Sequence, residues 1–229
     1  MCKKLLLFFL LLAFVISLFL FIQGKIWLVN PDRSKYPIRG IDVSHYQGDI
    51  DWQAVSKDDV GFAYIKATEA NDLRDAKFMF NWNNAIKNNI PTGAYHFYSL
   101  AHSGKIQAEN FIKTVPLDKY QLPPVVDLEY VGNSKKRPPK EEFVNGLRIY
   151  LRVISSHYNK QPILYTTYEF YEDYLYPEFE KEKIWIRDIF SKPDTKKIGD
   201  WEIWQYNPRG SIDGIKGNVD LNVFNGTNL

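Results

Sequence analysis

One cysteine in 229 residues, Cys2, excludes an intramolecular disulfide and a metal site built on cysteine. Stability must therefore come from burial, which a folded part of this size supplies without covalent staples, so the lack of cysteine is compatible with an extracytoplasmic home. A strong charge of one sign is also missing: 29 basic residues face 27 acidic ones, for a net +2. The one dense basic run, Lys135-Lys136-Arg137 beside Pro138-Pro139, reads as a solvated loop, and no nucleic-acid footprint is present. No H-E-x-x-H, no G-x-S-x-G elbow, no P-loop and no dinucleotide fingerprint occurs, which removes the common metalloprotease, serine-hydrolase and nucleotide classes. Internal repeats and low-complexity segments are absent as well, apart from one apolar run near the N-terminus.

That run, residues 5–22, is apolar except for Ser17 and follows Lys3 and Lys4. At about 1.5 Å per residue it is roughly 27 Å long, about one hydrocarbon thickness. It exceeds the usual apolar core of a cleavable signal, and no small-x-small cleavage site follows it. An uncleaved membrane anchor is expected, with a removed signal peptide as the alternative. The leading lysines place the N-terminus in the cytoplasm and export the rest. The expected organisation is an anchor or signal segment at 1–23, a tether at 24–37 that Pro31 and Pro37 keep extended, and one domain at 38–229. Fully stretched, a tether of that length reaches at most roughly 50 Å.

Eight candidate strands follow: 39–44, 62–67, 93–98, 125–129, 163–166, 183–187, 202–206 and 219–223. Helical spacing separates several of them, with Phe78, Trp82, Ala85 and Ile86 on one expected buried face and Phe143, Leu147, Tyr150, Leu151, Ile154 and Tyr158 on another. Alternating strands and helices imply parallel βα units. The last connections are short and rich in Gly and Pro, so the final three strands are expected as partly antiparallel hairpins. The fold class is thus α/β, an irregular TIM-like β/α barrel with a partly antiparallel end.

Residues 123–130, Pro-Pro-Val-Val-Asp-Leu-Glu-Tyr, form a short apolar strand that ends in two carboxylates. Alternation puts Asp127 and Glu129 on one face and Leu128 on the other. Two like charges beside apolar neighbours cannot both ionise easily, so one pKa rises, leaving an acid next to a base. Cleavage of a glycosidic bond needs that pair. The plainer reading is a solvated strand end. In β/α barrels the site forms at the carboxyl ends of strands, and that rule adds Asp42 from the first strand and Asp220 from the eighth. Tyr64, Tyr95, Tyr165, Trp204 and Gln205 are candidate sugar-binding residues nearby, since sugars stack on aromatic faces and bond to amides; the plain alternative for each aromatic is core. His45, His96 and Asp42 as a metal site lack any recognisable ligand spacing, while His102 and His157 read as surface residues. No metal and no cofactor are expected.

With these residues in view, the chain resembles the family 25 glycoside hydrolases, lysozymes that cut peptidoglycan. The resemblance runs through the whole exported part. It is carried by Gly40-Ile41-Asp42-Val43-Ser44-His45-Tyr46-Gln47-Gly48 and by the segments 62–69, 93–97 and 124–129. Tyr165-Thr166, Trp204-Gln205-Tyr206 and Gly217-Asn218-Val219-Asp220-Leu221-Asn222 complete it. It implies N-acetylmuramidase activity on the β-1,4 bond between N-acetylmuramic acid and N-acetylglucosamine, in a monomer with a flattened barrel, acting on peptidoglycan glycan strands without metal or cofactor. It also implies roles: Glu129 matches the general acid, Asp127 its carboxylate partner, and Asp42 and Asp220 the other two acids, with Glu69 supporting the cleft. Ala70 stands where the family usually has Gly, and Arg187 where its sixth strand more often carries a small residue. Both departures touch the outer subsites and leave the acids intact. Asp127, Asp220 or the substrate's own acetamido group remains open as the group acting opposite Glu129, with substrate assistance favoured. Two other readings are a cell-wall-binding module without turnover and a hydrolase of another N-acetylated glycan.

Overall fold

The computed structural model describes residues 2–22, 26–117 and 122–229. Gln23, Gly24 and Lys25, at the junction of the expected anchor and tether, lie outside the described residues, as does Met1. Among the described residues nine strands form one sheet: β1 (Arg39–Val43), β2 (Phe62–Glu69), β3 (Leu73–Arg74), β4 (Thr92–Phe97), β5 (Val125–Leu128), β6 (Ile163–Thr166), β7 (Lys183–Arg187), β8 (Ile203–Gly210) and β9 (Val219–Phe224). Their order is β1-β9-β8-β7-β6-β5-β4-β2-β3, and an added β1–β2 pairing closes the sheet on itself. The result is an irregular TIM-like barrel, with β3 as a small antiparallel tail on β2 outside the closed ring.

Every neighbouring pair from β1 through β2 and β4 to β8 is parallel, and β9 runs antiparallel to both β8 and β1. The partly antiparallel end therefore resides in the last strand. The expected hairpin between the sixth and seventh strands is instead a parallel connection, because residues 188–202 make room for a helical turn at Thr195–Ile198. β8 also extends to Gly210, with register shifts after Gln205 and Asn207 that carry Pro208 into the strand. A proline is tolerated there because a bulge leaves one residue out of the ladder.

Helices around the sheet include α1 (Cys2–Ile22), α2 (Trp52–Val55), α3 (Phe78–Lys87), α4 (Gly104–Thr114) and α5 (Lys140–Tyr158). In α5 the expected stripe is buried in full, Glu141 and Glu142 occupy the first turn where the helix dipole favours acids, and left-handed Asn159 ends it. In α3, Phe78, Trp82 and Ala85 are buried as expected, but Ile86 is exposed, and Asn81 takes the fourth inward place by accepting the Trp52 indole N–H.

Two cores result. The larger lies between the strands' outward faces and the helices, and the smaller fills the barrel itself with Phe62, Tyr64, Val125, Ile163, Tyr165, Trp185 and Ile203. Two of these rings take the room of a missing side chain on the neighbouring strand: a Cβ on Gly40 would lie 2.5 Å from the Phe62 ring, and one on Gly93 2.2 Å from the Tyr64 ring. This aromatic floor closes the barrel below and leaves a cup at the strands' carboxyl ends.

Residues 26–37, the described part of the expected tether, run along the barrel wall. The Trp27 indole donates to the Ile189 carbonyl, Arg39 donates to the Pro31 carbonyl, and Tyr36 is buried against the Trp201 and Trp204 rings. Between Lys3 and Phe21 no residue of α1 is buried, and that stretch, with a mean hydropathy of 2.8, is long and apolar enough to cross a membrane.

Candidate active site

Strand alternation builds the cup. On β5, Val125 faces the barrel interior, Val126 and Leu128 enter the outer core, and Asp127 turns inward again, with Glu129 beyond it. On β1 and β9, Asp42 and Asp220 stand directly opposite each other in the antiparallel register. The four carboxylates line one cavity of about 230 Å³ together with Tyr95, Tyr165, Trp185, Arg187 and Gln205, while Val131 and Pro208 lie on its wall.

A chain of hydrogen bonds orients Asp42. The Tyr165 hydroxyl donates to Gln205 Oε1 (3.1 Å), Gln205 Nε2 donates to Asp42 Oδ2 (3.1 Å), and Asn222 Nδ2 donates to the same oxygen (2.8 Å). The Trp185 indole in turn donates to Asn222 Oδ1 (3.0 Å), which fixes how that amide is turned. Asp127 contrasts with this, because its Oδ1 is buried with no hydrogen-bond partner.

Crowding four acids out of water raises them all. Burial lifts Asp42 to about 6, opposed by the amide hydrogen bonds from Asn222 and Gln205 and by the Arg187 charge. Burial lifts Glu129 further, to about 7, with Arg187 and Lys66 pulling down and Asp42 pushing up. Asp127 is held well above the ordinary carboxylate range by burial and then by Glu129, and Asp220 likewise by burial and then by Asp42. The cup therefore retains protons near neutrality and contains both proton donors and acceptors.

This barrel and cup agree with the sequence comparisons. The model of the glycosyl hydrolases family 25 matches residues 41–215, from β1 to the loop before β9. The chain belongs to this family. It is 38% identical over 200 residues to the uncharacterized protein YegX of Escherichia coli O6:H1, covering 85% of this chain and 72% of that one. It is 32% identical over 203 residues to lysozyme M1 of Streptomyces globisporus, covering 83% and 68%. The structure of a family 25 glycosyl hydrolase from Bacillus anthracis superposes with a TM-score of 0.82 at 40% identity, over 88% of this chain and 94% of that one.

Within this family 25 barrel, the structure brings together Asp42, Asp127, Glu129, Asp220, Tyr95, Tyr165 and Gln205. Two expected sugar-binding residues stand elsewhere. Tyr64 faces inward but lies below the cavity, almost fully buried in the floor, with its hydroxyl bonded to the Pro123 carbonyl and its ring 5.0 Å from Trp185. Trp204 faces outward, packed among Tyr36, Trp201 and Tyr206, with its indole bonded to the Asp188 carbonyl. Trp204 and Gln205 are sequence neighbours on one strand and so cannot share a face. Glu69 forms a 2.7 Å ion pair with Lys66, outside the cavity lining. Ala70 has φ 50, the left-handed region where Gly is favoured, which explains the family's preference there.

The histidines do not converge with Asp42. His96 lies outside the barrel wall between Thr68 and Gln107, where burial pushes its imidazole down to about 3 and keeps it neutral. His45 pairs with Asp75 at 2.7 Å. Trp185 and Asn222 were not among the expected site residues, and Arg187, expected to touch the outer subsites, stands in the cup itself, where its charge acts on Asp42, Glu129 and Asp220. Alternation is the signal that finds them: Asn222 is two residues after Asp220, and Trp185 two before Arg187.

Proposed function

We propose that this chain is a peptidoglycan hydrolase that cleaves the β-1,4 bond between N-acetylmuramic acid and N-acetylglucosamine. The observation that carries the reading is one cavity holding four carboxylates, in which burial keeps Glu129 protonated to about 7. In this reading Glu129 is the general acid, donating its proton to the leaving glycosidic oxygen as positive charge develops at the anomeric carbon. Asp127 is its partner. Its unpaired Oδ1 is suited to accept the N–H of the sugar's acetamido group, turning the acetamido oxygen toward the anomeric carbon as internal nucleophile. Asp42, held by two amides and ionised above about 6, supplies negative charge to the oxocarbenium-like transition state, with Asp220 opposite it. Tyr95, Tyr165 and Gln205 shape the walls around the sugar. No step of this scheme draws on a metal or a cofactor.

The names lysozyme M1 and, for a structure from Streptomyces coelicolor at 30% identity, bacterial lysozyme support peptidoglycan as the substrate. The same reading places the barrel outside the cytoplasm, as a monomer held by α1 as an uncleaved anchor. The test is incubation of the full chain, in mild detergent, with purified peptidoglycan. New reducing ends that are N-acetylmuramic acid are expected, and Glu129→Gln should lower kcat by roughly 10²-fold or more. Wild-type turnover by Glu129→Gln, or new ends that are N-acetylglucosamine, would overturn the assignment.

A further inference from the structure

Arg187 is the last residue of β7, and alternation turns it into the cup while Ile184 and Ile186 pack outward. It stands in register beside Gln205, the residue that holds Asp42. Its charge is felt by Asp42, Glu129 and Asp220 alike. Yet among the described residues its half-buried guanidinium forms neither an ion pair nor a hydrogen bond with any of them or with any other group.

Arg39, which is buried on the barrel wall, behaves differently. Arg39 donates to the Pro31 carbonyl, to Asn30 and to the Tyr206 hydroxyl, and lies near Asp59. A guanidinium has five donors in a planar fork that matches a carboxylate with two parallel hydrogen bonds. In a cup lined by four acids, the fork of Arg187 is left open toward the space a ligand fills.

We infer that Arg187 recognises a carboxylate carried by the sugar in the cup, and so separates muramyl glycan from glycan built of N-acetylglucosamine alone. The inference rests on the muramidase reading above. A muramyl unit offers that chemistry from two sources. Its 3-O-lactyl group ends in a free carboxylate when no peptide is attached, and when the lactyl group is amide-linked to a peptide the carboxylates belong to the peptide. N-acetylglucosamine offers neither. The cation also offsets the repulsion that the four acids would exert on an anionic ligand.

The experiment is a binding titration of the full chain in detergent micelles at pH 7, which needs no turnover. Four ligands are compared: N-acetylglucosaminyl-β-1,4-N-acetylmuramic acid, its lactyl methylamide, the same disaccharide bearing an alanyl-glutamate peptide, and diacetylchitobiose. The wild type should bind a carboxylate-bearing ligand roughly 10-fold or more tighter than the methylamide and chitobiose, as a charge-assisted pair gives. Preference for the free lactyl form or for the peptide form identifies the source of the carboxylate. In Arg187→Gln the ratio between charged and neutral ligands should collapse toward one, and Arg187→Lys should keep part of it. Equal binding of all four ligands by the wild type would overturn the inference. So would an Arg187→Gln variant that weakens all four ligands by the same factor, because the guanidinium would then act through the acids. Discrimination that persists in a wild type unable to cut peptidoglycan would sink the hydrolase reading and leave the role of Arg187 standing.

Discussion

Replacing Glu129 with glutamine should make the protein more stable as well as inactive, and the size of the gain follows from where the carboxyl sits. In the unfolded chain this group ionises near 4.5, whereas burial in the cup holds it neutral to about 7. Between those values the folded state keeps a proton that the unfolded state has lost, so the wild type loses stability as pH rises through this window. At 1.36 kcal/mol per pH unit the loss is complete above 7 and amounts to about 3 kcal/mol. Glutamine is neutral in both states and escapes it. Removing the charge also relieves Asp127, which Glu129 pushes upward. For a domain of this size each kcal/mol moves Tm by about 2–4 °C, so the variant should melt roughly 6–12 °C higher at pH 8.5. At pH 4, where both side chains are neutral, the two proteins should melt together. Tryptophan fluorescence during thermal and urea unfolding of the full chain in detergent reads both conditions. Equal stability at pH 8.5, or a variant that melts lower there, refutes the claim that the cup strains an ionised Glu129.

The same ionisations shape catalysis. Activity should fall above about 7 as Glu129 loses its proton and below about 6 as Asp42 gains one, leaving a narrow optimum set by the coupled acids; a rate that stays flat to pH 9 in a reducing-end assay would contradict it. Asn222→Ala removes one of the two amides holding Asp42 and strands the Trp185 indole, so the acid limb should move toward neutrality and stability should drop by about 1–3 kcal/mol. A pH profile that keeps the wild-type acid limb argues against the amide's role.

The acids were legible because two regularities act together: period-2 alternation after Val125-Val126 aims Asp127 and Glu129 at one face, and barrel closure brings β1 beside β9, setting Asp42 opposite Asp220. Trp204 and Gln205 are adjacent on β8, so the alternation that turns Gln205 toward Asp42 turns Trp204 out of the cup. Tyr64 has the right face and the wrong depth, a distinction set by how far rings stack from the floor upward. α4 gave no clear periodic signal because its inward face includes the polar Gln107 and Asn110. Gln107 is satisfied by His96, Ser99 and His102 just before the helix, and Asn110 by the carbonyls of Glu69, Ala70 and Leu73, far back along the chain. The parallel β7–β8 connection was hidden in residues 188–202, which look like a turn until a helical turn is found inside them.

The docked stretch from Trp27 to Tyr36 alters how far the barrel can stand from α1. With the Trp27 indole on Ile189, Pro31 on Arg39 and Tyr36 against two tryptophans, the chain is held to the barrel from Trp27 onward, and five residue steps separate that point from Ile22 at the end of α1. That is about 18 Å of chain at full stretch, against the roughly 50 Å that a free leash of 24–37 allows. With α1 retained in the bilayer, the barrel patrols at one altitude. On the muramidase reading its reach is the glycan next to the membrane, and outlying layers come within range only if the stretch from Trp27 to Tyr36 lifts off the barrel.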